Sequence, residues 1–168
     1  MFKVGDTIVY SDGKIYKITE KIEKDYGRGL QLYFVLKQNE LYKEERNTAV
    51  FAPFDKVQLE SRELMSKKEV NHLIDSFPAI TPLWINDYKQ RKIVFSEMAA
   101  SKDPKNIATL VKSFYVRDQE LKDTNKSLTI TDKKMMDKLK SDLFIELSLV
   151  LNCDFDGVVK YIDKRLKR

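Results

Sequence analysis

The chain has 168 residues, room for one ordinary domain or two small ones, and its 42% hydrophobic content can supply a core. Charged residues make up 34% and are mixed in sign, and no apolar run approaches the roughly 20 residues of a membrane helix, so a soluble globular protein is expected and a membrane protein excluded. A lone cysteine, Cys153, excludes an internal disulfide and fits a reducing cytoplasm.

The start, Met1-Phe2-Lys3-Val4-Gly5-Asp6, carries no apolar leader and opens directly on a strand-like pattern. Residues 2–10, "FKVGDTIVY", mix alternation with β-branched residues, and "KIYKI" resumes it after "SDG". Asp12-Gly13 suits a tight hairpin turn because glycine accepts positive φ. "YGRGL" at 26–30 is a second glycine turn, leading into "LQLYFVLK" at 30–37. "NTAVFAPFDKVQLE" at 47–60 predicts two more short strands, with Pro53 confining the first to an edge or a strand end. About five short strands joined by tight turns read as a small barrel or curled sheet.

After "ESRELMS" the period changes from two to that of a helix. Ser66 can cap "KKEVNHLIDSF", whose Val70, Leu73, Ile74 and Phe77 share one face, and "PAITP" then breaks the helix. The spacing predicts a second helix from near Leu83. Asp103 is a cap with Pro104 in the first turn, and Ile107, Leu110, Val111 and Phe114 make an amphipathic stripe. After the polar loop "LKDTNKS", the longest helix runs from Thr131 to Leu151 and buries Met135, Met136, Leu139, Leu143, Leu147, Val150 and Leu151. "NCD" interrupts it. Asp154 caps a last helix with Phe155, Val158, Val159, Ile162 and Leu166 on its apolar side. The fold class is therefore α+β, β first and α second, with domains at 1–62 and 63–168.

Charge follows the same division. Residues 1–60 hold ten Lys/Arg against ten Asp/Glu, and the remainder holds 21 against 16, so the whole net charge of +5 lies in the helical part. A basic second domain suggests that it meets a polyanion.

The residues give little support to an enzyme. The single histidine, His72, sits on a predicted helix with no carboxylate or cysteine at metal spacing, so no zinc site is expected and a partly exposed helix residue is the simpler reading. "YGRGL" is a hairpin turn and not a phosphate loop. No cofactor is expected.

The only tryptophan, Trp84, follows Thr81 and Pro82. Taken as structure alone, it is a large apolar group packing into the helical core. On the predicted helix, however, Trp84, Tyr88 and Arg91 fall at i, i+4 and i+7, flanked by Lys92. Cations interleaved with aromatic rings can hold phosphates while a flat ring meets an unstacked base step.

The order of these segments resembles the CarD/CdnL family of bacterial transcription regulators. The resemblance rests on "MFKVGDTIVY", "LYFVLK", "VFAP", the linker, and an isolated Trp followed by Tyr-Lys. It extends over essentially the full chain through "LVKSFYVRDQE" at 110–120 and "KKMMDKLKSDLFIELSLVL" at 133–151. It implies an amino-terminal Tudor/SH3-like β-barrel that docks on the RNA polymerase β subunit, and an all-helical domain that contacts promoter DNA in the minor groove, weakly and without sequence specificity. Trp84 matches the family tryptophan that wedges at the upstream edge of the transcription bubble and stabilises the open complex. Lys89 matches a basic family position. With Tyr88, Arg91 and Lys92 it completes the expected DNA-binding set, and Val50, Phe51 and Pro53 of "VFAP" are the expected polymerase-facing residues. A core position for Phe51 is the competing reading. Three departures stand out: Asn86 and Asp87 replace two basic residues common in the family, Phe51 stands where a basic residue is frequent, and "YSDG" replaces the usual turn.

The expected function is thus a non-enzymatic bridge between polymerase and promoter DNA, located in the cytoplasm with the nucleoid. The alternative is a protein-interaction adaptor with a degenerate DNA-binding domain. A monomer is expected, with exchange of the barrel through "ESRELMS" left open.

Overall fold

The computed structural model describes residues 1–43 and 49–167. The chain forms two compact units, Met1–Leu64 and Met65–Arg168. No helix among the described residues is long and apolar enough to cross a membrane.

The first unit is built on a five-stranded antiparallel sheet. Its strands are β1 (Thr7–Val9), β2 (Ile15–Asp25), β3 (Leu30–Gln38), β4 (Ala49–Pro53) and β5 (Arg62–Glu63), with a helix α1 (Phe54–Glu60) before the last. The order β4-β3-β2-β1-β5 leaves β4 and β5 as edges, so the sheet is open among the described residues. Both predicted turns form. Gly13 takes φ +81°, and the Lys14 amide donates to Asp12 Oδ1 at 2.9 Å. At the far end of the β2–β3 hairpin, Asp25 Oδ1 accepts from the amides of Gly27, Arg28 and Gly29 at 2.7, 3.1 and 3.0 Å. Gly27 and Gly29 sit at φ +85° and +84°, a region that L side chains rarely adopt. A bulge between Ile18 and Glu20 shifts the register. The core on one face gathers Ile8, Tyr16, Ile18, Phe34, Leu36, Ala52 and Val57.

The segment "FDKVQLE" departs from the expected strand: it is α1. Pro53 ends β4 because it has no N–H to donate, and its fixed φ of −54° leads into the helix that follows. Within the helix, Val57 is wholly buried and Lys56 faces Glu60 at 3.9 Å. The fifth strand is instead the short β5, paired with β1 at Ile8↔Glu63 and Val9↔Arg62. Residues 47 and 48, which the sequence placed at the start of the fourth strand, lie outside the described residues.

The second unit contains α2 (Lys67–Ser76), a 3-10 turn (Phe77–Ala79), α3 (Tyr88–Ala100), α4 (Pro104–Asp123), α5 (Ile130–Leu151) and α6 (Phe155–Leu166). Ser66 caps α2 through a full capping box, its Oγ accepting from the Glu69 amide and Glu69 Oε2 from the Ser66 amide. Asp103 and Asp154 cap α4 and α6 as expected. The longest helix starts one residue earlier than read, at Ile130, because Thr129 is its cap. Its core lies in two clusters. One joins α2 to the second half of α5 and α6 through Val70, Ile74, Leu147 and Val158. The other joins α3 and α4 to the first half of α5 through Phe95, Leu110, Phe114 and Leu139. Val159, expected on the apolar side of α6, is 47% exposed.

Candidate nucleic-acid interface

Trp84 does not lie on a helix. Residues 80–85 have no regular structure and α3 begins only at Tyr88, behind Asp87, whose Oδ1 accepts from the Gln90 amide at 2.8 Å. The expected helix start near Leu83 is therefore wrong, and Trp84, Tyr88 and Arg91 are not i, i+4, i+7 neighbours on one helix. Aspartate is among the best N-cap residues, and this cap moves the start four residues on from the tryptophan.

What holds the indole is a strapped loop. At one end the Leu83 amide donates to Ser113 Oγ on α4 at 2.8 Å. At the other, Arg91 Nη1 donates to the carbonyls of Ile85 at 2.8 Å and Asn86 at 3.3 Å. The ring of Trp84 rests edge-on against Phe95 and Phe114, each with its centroid 5.9 Å away. Those two rings meet each other edge-to-face at 5.3 Å, so the tryptophan tops a three-ring aromatic cluster and stays partly exposed. Two guanidinium groups flank it: the Arg91 carbon lies 4.5 Å and the Arg117 carbon 5.5 Å from the ring. Such cation–π contacts strengthen as water is excluded.

The expected DNA-binding residues fall into two groups. Tyr88, at 44% exposure, and Lys89 and Lys92 are on the surface of the first turns of α3. Arg91, expected among them, is buried instead. It is 6% exposed, and its Nη2 meets Asp132 Oδ2 on α5 at 2.9 Å. A guanidinium engaged by a buried carboxylate and two backbone carbonyls positions the loop. The residue that the sequence reading missed is Arg117, whose side chain is 34% exposed and also meets Glu120 at 3.2 Å. It stands one helical turn beyond Phe114, and that spacing could have pointed to it once Phe114 was placed under the indole.

In the first unit, Val50 and Ala52 point into the sheet core, whereas Phe51 and Pro53 face outward on the edge strand β4. Phe51 is 43% exposed, with the Lys24 ammonium 3.8 Å from its centroid, so the competing core position for it is excluded. Among the described residues no group of three His, Cys, Asp or Glu is placed to hold a metal ion. No family model matches the chain, and no curated protein sequence matches it.

Proposed function

We propose that the chain is a CarD/CdnL-like transcription regulator, with a Tudor-like first unit that binds the RNA polymerase β subunit and a helical unit that contacts promoter DNA at the upstream edge of the bubble. The observation that carries this reading is the mounting of Trp84: one partly exposed indole, backed by two phenylalanines and flanked by two guanidiniums. A ring already fixed in place loses little freedom on insertion. Unstacking a base step costs a few kcal/mol, and less at a junction that is already opened. Arg117, Lys89 and Lys92 supply charge for phosphates without reading sequence. The outward pair Phe51 and Pro53, with Val50 beneath, offers an edge strand to the polymerase subunit. Two weak contacts on one chain reinforce each other by raising local concentration. On this reading the protein works in the cytoplasm, with the nucleoid.

The test is the lifetime of the open complex formed by bacterial RNA polymerase with this protein. Trp84→Ala is expected to shorten it about tenfold, since one stacked aromatic is worth roughly 1–3 kcal/mol, while co-purification with the β subunit is retained. An unchanged lifetime, with a helical content equal to that of the parent chain, removes the wedge. The adaptor reading is favoured by one observation, the withdrawal of Arg91 from the surface. It predicts that fork-junction DNA leaves Trp84 fluorescence unchanged, where the leading reading predicts quenching.

A further inference from the structure

A second surface of the helical unit is built differently. An open groove of about 910 Å³ runs along α4 and α5 and reaches the 3-10 turn at Phe77 and Pro78 and α6 at Ile162 and Leu166, and Trp84, Arg91 and Arg117 do not line it. Its floor is apolar, formed by Ala108 and Val111 of α4, Leu128, and Met136, Leu143 and Phe144 of α5. Tyr115 and Ile130 also line it and remain 61% and 77% exposed, so the apolar stripe is uncovered. The stripe extends from Ala108 to Lys122 on α4 and from Ile130 to Phe144 on α5, about 21 Å at the rise of a helix.

The rim carries Lys112, Lys122, Lys133 and Lys140 against one carboxylate, Asp118. Asp118 is engaged by Lys122 at 2.7 Å. The Lys112 ammonium donates to the neutral carbonyls of Phe77 and Pro78 and has no ion pair among the described residues. Lys133 and Lys140 are exposed on α5. The remaining positive charge lies on both walls, Lys112 on α4 and Lys133 and Lys140 on α5, the last two about 10 Å apart along the helix. A long-chain carboxylate carries one charge at one end and would use only one of these positions. An amphipathic helix with Asp or Glu along both borders of its apolar face would use them all, and about four turns of it span the groove.

We propose that this groove docks an acidic amphipathic helix of a partner protein, apolar face down on Val111, Met136 and Phe144 and carboxylates against Lys112, Lys133 and Lys140. The proposal is independent of the DNA-binding reading, because the two surfaces share no residue.

The probe is a fluorescein-labelled peptide of about sixteen residues, matched to the groove length, with Leu at i, i+3, i+4 and i+7 repeats and Glu on both flanks. Fluorescence anisotropy with the full chain is expected to show saturable binding, with shifts of the Met136 methyl resonance. Lys133→Glu/Lys140→Glu is expected to weaken it about tenfold, as two exposed ion pairs become repulsions, and Ile130→Glu to weaken it further. Trp84→Ala leaves it unchanged. All four sites are exposed or half-exposed, so the variants keep the fold, which circular dichroism checks. The proposal is overturned by equal binding of a scrambled peptide, by unchanged affinity of the double-Glu variant, or by no binding at millimolar protein. Tighter binding of a single-stranded oligonucleotide at Met136 would overturn it too, as would a dimer in sedimentation that buries the groove.

Discussion

Arg91 shows how one buried side chain can decide the shape of a loop. Its guanidinium joins the loop carbonyls of Ile85 and Asn86 to Asp132 on α5 and lies over the indole of Trp84. Both members of the ion pair are almost wholly buried, at 7% and 10% side-chain exposure. Such a pair contributes little against a well-packed apolar replacement, yet removing one member strands a charge in a low-dielectric interior. Asp132→Ala is therefore expected to cost roughly 3 kcal/mol in urea unfolding. Because Trp84 is the only tryptophan, the same variant should red-shift the native emission as the loop loosens. Arg91→Met combined with Asp132→Leu should recover much of the stability but not the ordered loop. A loss below about 1 kcal/mol for Asp132→Ala would show that the pair is solvated.

At the scale of elements, the helix ends carry the local information and the packing overrides it in places. Gly157 lies in the first turn of α6, its amide donating to Asp154 Oδ1 at 2.7 Å. Helix propensity alone favours alanine over glycine by about 1 kcal/mol. Packing reverses the sign: a Cβ there would stand 2.8 Å from Cys153 Cβ and 3.0 Å from the capping oxygen. Cys153 Cβ is fixed to its backbone and cannot swing aside as a long side chain would. Gly157→Ala is thus expected to destabilise by about 1–3 kcal/mol, as overpacking does, with thermal unfolding as the measurement. A raised melting temperature would mean that the turn between α5 and α6 yields freely. The left-handed Asn152 that ends α5, at φ 52°, belongs to the same tight turn.

For the whole molecule, the division at residue 64 has an energetic basis. Every member of the two helical core clusters lies between Met65 and Leu166, and every member of the sheet core between Phe2 and Val57. Each unit therefore has an apolar core of its own, which defines a unit able to fold alone. Residues 65–168 expressed separately are expected to give a helical spectrum, one cooperative transition and the same Trp84 emission as the full chain. Emission at the wavelength of free indole would contradict this. The excess positive charge travels with that fragment. On the proposed reading, fork DNA binds this fragment and the binding weakens with salt, with a slope of about −3 on a double-logarithmic plot if Arg117, Lys89 and Lys92 each neutralise one phosphate.

Features that depend on near neighbours are legible in the amino-acid order. The change of period after "ESRELMS", the caps Ser66, Asp103 and Asp154, and the turns at Asp12-Gly13 and Tyr26–Gly29 are all set by residues within a few positions of one another. The start of α3 was legible in principle, since Asn86-Asp87 is a capping sequence, but the regular spacing of Trp84, Tyr88 and Arg91 imitated a longer helix. The fate of α1 turned on Pro53 and on Val57 finding the sheet core, contacts that local alternation does not encode. Three features follow from contacts across the chain: Arg91 turns inward to Asp132, 41 residues away, Arg117 comes to the indole from α4, and Phe51 faces out. Burial and ion pairing are properties of positions brought together across the chain, and a periodic pattern in one segment carries no record of what the other segments place against it.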